Sequence, residues 1–296
     1  MNVEAALRFE PQRAVLTAHA YRMLGDRTEA EDVVQDAYLR WQEAVAHQAI
    51  ADDRAYLRAT ATRLCLDRLR SARLRRELYV GPWLPEPLLG DELEDPQAAV
   101  TLADDVSFAL LLALERLTPL ERAAFLLHDA LDVPYAEIAQ TLGRSEPAVR
   151  QLAARARTHV RENRKQHEGV SRAALRLRDA LADALRADDL QALQRLLTED
   201  VVLTTDGGGK AVAALVPLAG RDRVGRFLQG VNRKCGRLIR AVVPATINGS
   251  AGFVTFDDAG ISLAFAFDVA ADRIAAIYIV RNPDKLRGIA AALAAR

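Results

Sequence analysis

Three groups of side chains have types and spacings suited to nucleic acid or to a protein partner. Arg144, Ser145, Glu146, Ala148, Arg150, Gln151 and Arg155 straddle a turn and the helix it opens. Arginine can hold a guanine edge through two bonds and glutamine can read adenine, while further arginines along a helix hold phosphates without reading sequence. The Ser145 hydroxyl can cap backbone N–H groups at the helix start. A second group, Tyr56, Arg58, Arg63, Arg68 and Arg70, mixes a ring with cations on one helix. That mixture suits an unpaired strand, whose bases stack or drop into pockets while guanidinium groups follow the phosphates. A third helix places Glu29, Glu31, Asp32, Gln35 and Asp36 ahead of Tyr38, Leu39, Arg40 and Trp41. Acids early in a helix suit its macrodipole, and taken alone they describe a solvated face.

Other chemistries find little support. All five histidines, His19, His47, His128, His159 and His167, precede the last 129 residues, so that part has no imidazole base. An aspartate base, Asp206 or Asp268, with Tyr278 as donor is the remaining catalytic reading there. Cys65 and Cys235 lack metal-ligand spacing and read as two buried small side chains. Asp206, Gly207, Gly208, Gly209 and Lys210 superficially resemble a phosphate loop, but the spacing is wrong and Ala211 stands where a hydroxyl would bind magnesium. No cofactor and no metal centre are expected. This glycine run, and the string Asn282, Pro283, Asp284, Lys285, Leu286, each read equally well as a tight turn or as a regulatory contact.

The elements that must position these groups follow from patterning. The chain has 296 residues and 40 basic against 40 acidic side chains, but the charges are segregated. From Asp91 to Gly143 only Arg116 and Arg122 offset many acids, whereas Arg144 to Lys165 is basic, as is Arg63 to Arg76. Two basic helices imply two nucleic-acid contacts. Phe9 to Arg76 is helical in pattern, with Val33, Val34, Ala37, Tyr38 and Trp41 at helical spacing. Four prolines and an acidic run between Tyr79 and Pro96 mark a linker. A second helical set follows, in which Thr118-Pro119-Leu120-Glu121 reads as a capping box and Asp132 to Val160 as a helix-turn-helix breaking at Gly143. Beyond Gly169 come helices near Arg172 to Arg186 and Leu190 to Leu197. Strand-like runs then cover Leu238 to Asn248, Gly252 to Phe256, Ile261 to Phe267 and Ile274 to Val280. The expected organisation is an all-α domain at 1–78, a Pro-rich, acidic linker at 79–100, a helix-turn-helix domain at 101–167, and an α+β domain at 168–296. No apolar span reaches the ~20 residues a membrane helix needs, and no signal-peptide pattern opens the chain, so a cytoplasmic protein is expected.

The stretches TEAEDVVQDAYLRWQEA, DDRAYLRATATRLCLDRLRSARLRR and LTPLERAAFLLHDALDVPYAEIAQTLGRSEPAVRQLAARAR resemble regions two and four of extracytoplasmic-function (ECF) RNA polymerase sigma factors. The linker YVGPWLPEP, with Trp83, and the last domain resemble the subgroup with a fused C-terminal SnoaL-like cone, as do the strings Asp206 to Lys210 and Asn282 to Leu286. The resemblance implies that Asp32, Gln35, Asp36, Leu39 and Trp41 dock on core RNA polymerase. It implies that Tyr56, Arg58, Arg63, Arg68 and Arg70 melt and capture the promoter minus-ten element, and that Arg144 to Arg155 read the minus-thirty-five element. It further implies a C-terminal domain that regulates the sigma core in cis, open to a small ligand or protein that the sequence does not name. The residues alone also admit a one-component transcription regulator, whose helix-turn-helix binds an operator and whose α+β domain senses a small molecule. That reading leaves the N-terminal domain unused.

Overall fold

A computed structural model describes residues 3–90, 106–163 and 171–294. The expected boundaries near 100 and 167 fall outside them, as does most of the acidic run. Contacts divide the chain into two compact units, the first from residues 3–77 and 110–163, the second from 78–90, 106–109 and 171–294.

The first unit is helical. It carries α1 (Val3–Leu24), α2 (Arg27–His47) and α3 (Asp53–Glu77), then the end of α4 (Phe108–Glu115), α5 (Pro119–Phe125), α6 (Tyr135–Leu142) and α7 (Glu146–Asn163). Asp26 opens α2 by accepting from the Glu29 N–H at 2.8 Å, and Ala30, Val33, Val34, Ala37 and Trp41 form its buried stripe. Thr118 and Glu121 form the expected capping box on α5, with Pro119 behind the cap. The chain then passes through a single π-helical segment, Leu126–Ala130. Gly143, at φ 61°, ends α6 in the left-handed conformation and re-aims the chain into α7.

The second unit is α+β. It begins with the strand β1 (Leu89–Gly90) and continues through α8 (Arg172–Arg186), α9 (Leu190–Leu196), β2 (Leu197–Asp206), β3 (Leu218–Ala219), α10 (Arg221–Cys235), β4 (Ala241–Ile247), β5 (Ser250–Asp257), β6 (Gly260–Ala270), β7 (Arg273–Val280) and α11 (Pro283–Ala294). The sheet order is β1-β4-β5-β6-β7-β2-β3, antiparallel except where β2 runs parallel to β7. Asn248 and Gly249, both at positive φ, make the two-residue turn between β4 and β5. Phe253, Phe265, Phe267 and Ile277 share one apolar cluster with Leu181, Leu193, Val224 and Leu228, so α8, α9 and α10 cover one face of the sheet. This is the helix-on-sheet architecture expected of a SnoaL-like domain. Sequence patterning passed over β2 and α10. The first opens on the polar Thr198-Glu199-Asp200, and the second carries so many charges that its apolar stripe is hard to see.

Segment 78–90 belongs to this second unit. Leu89 and Gly90 pair with Ile247 and Thr246, and Leu88 binds Asn248 through its N–H to Oδ1 and its carbonyl to the Asn248 N–H, both at 2.9 Å.

Candidate functional site

The helix-turn-helix presents the side chains its pattern predicts. Val149, Leu152, Ala153, Ala156 and Val160 are buried, while Arg144, Ser145, Arg150, Gln151 and Arg155 are exposed and Glu146 and Ala148 half-buried. Arg150 binds Glu146 at 2.5 Å and lies over the Tyr135 ring at 4.5 Å. Arg155 reaches back to Glu121 at 3.0 Å. Arg157 pairs with Asp129 at 2.6 Å and with the Tyr135 hydroxyl at 2.8 Å, and these partners raise its already high pKa. It therefore anchors α7 to the turn that precedes α6.

The α3 group is less free than its composition suggests. Arg58 forms an ion pair with Glu137 of α6, and Arg63 donates to the carbonyls of Thr141 (3.1 Å) and Gln140 (3.3 Å). Arg68 turns the other way, donating to the Glu29 carbonyl at 2.9 Å and to Asp36 at 3.0 Å, with Asp32 at 3.7 Å. It fastens α3 to α2. Arg70 pairs locally with Asp67, and Tyr56 is half-buried. Arg122 of α5 is buried and donates to the Met23 carbonyl at 2.6 Å and to Glu115 at 2.8 Å; burial pushes its pKa down to about 10. The two helical sets are thus bonded to each other within the first unit. Between them opens a cleft of about 540 Å³ lined by Arg63, Arg70 and Arg144 together with Leu66, Leu142 and Leu152.

On α2, Asp32, Gln35 and Leu39 are exposed and Asp36 is half-buried, one stripe at helical spacing. Trp41 departs from the expectation. Its side chain is 0% exposed, its Nε1 donates to Asp53 at 2.9 Å, and Arg8 lies over its ring at 5.3 Å. Position 41 falls on the core stripe with Val34 and Ala37, so the Trp41 ring packs inside the helical unit.

In the second unit, the glycine run, the Asn282 string and the linker meet at one carboxylate. Asp206, 0% exposed, accepts from the Tyr79 hydroxyl (2.6 Å), the Leu84 N–H (2.9 Å) and Lys285 Nζ (2.7 Å). Lys285 also donates to the Leu84 carbonyl and sits over the rings of Trp83 (4.3 Å) and Tyr79 (5.0 Å). Asn282 donates to the Tyr79 hydroxyl at 2.8 Å, and Lys210 pairs with Asp284. Burial, then the bond to Asp206, push the Tyr79 phenol pKa up, so the hydroxyl keeps its proton as a donor. Gly208 sits at φ 59°, and a Cβ there would lie 2.3 Å from Asn282 Nδ2. Gly209 packs on Val80. Leu286 is buried, Gly207 follows the end of β2 and Pro283 opens α11. Tyr79 and Leu84 carry no signal of their own in the sequence beyond adjacency to Trp83.

The residues of the catalytic reading, Asp206, Asp268 and Tyr278, are all buried in this unit. Asp206 is bonded as described. Asp268 is buried, accepting from Ser250 and from Tyr278, both at 2.9 Å, and Phe108 stacks on the Tyr278 ring at 4.9 Å. Burial first, and the neighbouring Asp268 second, raise the Tyr278 pKa well above its usual value. Among the described residues no cluster of His, Cys, Asp and Glu could hold a metal, and no helix is long and apolar enough to cross a membrane.

Comparison with known proteins places these surfaces in a family. Residues 9–75 match the model for sigma-70 region 2 and residues 107–160 that for sigma-70 region 4. The chain is 41% identical to the ECF RNA polymerase sigma factor SigJ of Mycobacterium tuberculosis, covering 95% of this chain and 92% of that protein. It is 33% identical to the probable ECF RNA polymerase sigma factor SigI of the same organism, covering 98% and 97%. The crystal structure of M. tuberculosis SigJ superposes with a TM-score of 0.74 at 37% identity, over 96% of this chain and 97% of that one. An N-terminal helical set, a helix-turn-helix and a C-terminal α+β domain, all spanned by these matches, make the chain a member of the ECF RNA polymerase sigma factor family.

Proposed function

We propose that this sigma factor docks on core RNA polymerase through Asp32, Gln35, Asp36 and Leu39, engages the minus-ten element with Tyr56, Arg58, Arg63 and Arg70, and reads the minus-thirty-five element with Arg144 to Arg155. Arg68 and Trp41 serve as positioning residues behind these surfaces. The C-terminal domain acts in cis and has no catalytic role. It controls the segment that joins the two promoter-binding helical sets, because it grips both ends of that segment. At the first end, Tyr79 and Leu84 bind Asp206, Asn282 and Lys285. At the second, the Val106 carbonyl accepts from Asn248 at 2.9 Å and Phe108 packs on Tyr278. A connector fixed at both ends sets the effective concentration of one promoter-binding set for the other. A cytoplasmic site of action accords with these partners.

The observation that carries this reading is the fully buried Asp206 carboxylate, three of whose partners come from the linker and Lys285. A buried ion pair that loses one partner is destabilised by about 3–5 kcal/mol. Asp206→Asn and Lys285→Met, assayed with core polymerase on a promoter template, should each change transcript yield severalfold. The double variant should change it by no more than the larger single effect. Native yields from both variants would remove this clamp from regulation. A ligand or protein would act here only by binding the clamped and released forms with different affinity.

A further inference from the structure

The net charge of the whole chain is zero, yet residues 221–240 carry seven basic side chains against the single Asp222. Six of them lie on α10 and the 3₁₀ turn after it (Gly236–Leu238), where Val224, Gly225 and Leu228 are buried, while Arg240 follows the turn and pairs with Asp258 at 2.8 Å, as Arg221 pairs with Glu199 at 2.7 Å. The outward positions are Arg223, Arg226, Gly230, Arg233, Lys234 and Arg237, which recur at helical spacing and form one ridge about 20 Å long. Arg233 is paired with Asp188 at 2.7 Å, and Arg226 is loosely paired with Asp222 at 3.9 Å. Arg223, Lys234 and Arg237 have no acidic partner among the described residues. At the middle of the ridge stands Gly230, with open space where a Cβ would be, so a ligand can approach the bare helix there.

We propose that this ridge is a third DNA contact, one that binds the sugar-phosphate backbone of duplex DNA without reading sequence. Unpaired cations strung along some 20 Å match the repeating charge of a phosphodiester backbone better than a compact anion, which would meet one or two of them. The ridge offers no glutamine or asparagine on its outward stripe to read a base edge. It would raise the affinity of the sigma factor for DNA as a whole and leave promoter choice to α3 and α7. The biological setting rests on the sigma reading, but the contact itself does not, because it can be measured on random DNA without polymerase.

The test compares the full chain, an Arg223→Gln/Lys234→Gln/Arg237→Gln variant and a Gly230→Lys variant for binding to a random-sequence duplex between about 50 and 200 mM salt. Each lost phosphate contact should lower the slope of log K against log salt by about 0.9, so the triple variant should lose about 2 to 3 in slope and bind at least about tenfold more weakly at the low-salt end. Gly230→Lys replaces a helix-weakening residue and adds a cation mid-ridge, so it should fold, bind more tightly and steepen the slope by about 0.9. Equal slopes for the native chain and the triple variant, with no gain from Gly230→Lys, would overturn the proposal; this is also the outcome if the ridge serves an acidic protein surface. Failure of the native chain to bind the duplex at all would overturn it too. Loss of ridge binding with intact promoter-specific transcription would leave the sigma reading standing.

Discussion

Asp206 illustrates how a single side chain can bind distant parts of a chain. It lies at the end of β2, yet its oxygens meet Tyr79, Leu84 and Lys285, more than a hundred residues apart in the first two cases. Gly208 is the companion constraint. A side chain there would strain a left-handed backbone and collide with Asn282, so Gly208→Ala should destabilise the second unit by about 2 kcal/mol or more, seen as a lower midpoint in urea. A different residue, His19, is expected to shape the acid response of the first unit. His19 is buried, bonded to Thr62 at 3.0 Å, and burial, with Arg22 and Arg58 nearby, pushes its pKa down to about 3 from 6.5. The unfolded chain therefore binds a proton that the folded one refuses. The stabilisation is complete above about pH 6.5 and is lost as the pH falls toward about 3, an effect on the order of a few kcal/mol. His19→Gln should flatten the stability profile of the unit between pH 7 and pH 4, measured by denaturant midpoints, and an unchanged profile would show that another group sets the limit.

At the scale of elements, the helix-turn-helix was legible because its grammar is local. The Thr118 capping box, the Gly143 stop and the buried stripe of α7 are all written within a few residues of where they act. Residue pairing between elements was not legible. Arg58 and Arg63 read as free cations in the sequence, yet they bond to α6 across almost eighty positions, and Arg68 neutralises the acids of α2. Composition places a charge on a helix but cannot say which other helix will meet it. The burial of Trp41 is illegible for a related reason, since a large ring at the edge of an amphipathic stripe suits either core or interface. If Arg58 and Arg63 engage the minus-ten element as proposed, their bonds to α6 must open for them to do so, and the two contacts compete. Glu137→Gln weakens that hold by about 1 kcal/mol. The full chain should then bind promoter duplex up to about fivefold more tightly in an anisotropy titration, and unchanged or weaker binding would mean that the α3–α6 contact does not compete with DNA.

The whole molecule is organised by how the chain visits its two units. It leaves the first at 77, gives 78–90 and 106–109 to the second, returns for 110–163 and ends in the second. The sequence marked 79–96 as a break by its prolines, but nothing in proline or acid content says that such a segment will join a sheet through Leu89 and Gly90. The strings Asp206 to Lys210 and Asn282 to Leu286 stood out only as strings, and their meeting depends on the parallel pairing of β2 with β7, which brings the ends of both strands together at Asp206 and Val280. We propose that the promoter-binding helices work under the control of the domain that follows them. Transcription in vitro with purified core polymerase and a library of promoters tests it most directly, comparing the full chain with a version ending at residue 167. Promoter-specific transcripts are expected from the full chain, with a changed yield once the domain is removed. No transcripts from either protein, or the same transcripts in the same yield from both, would contradict it.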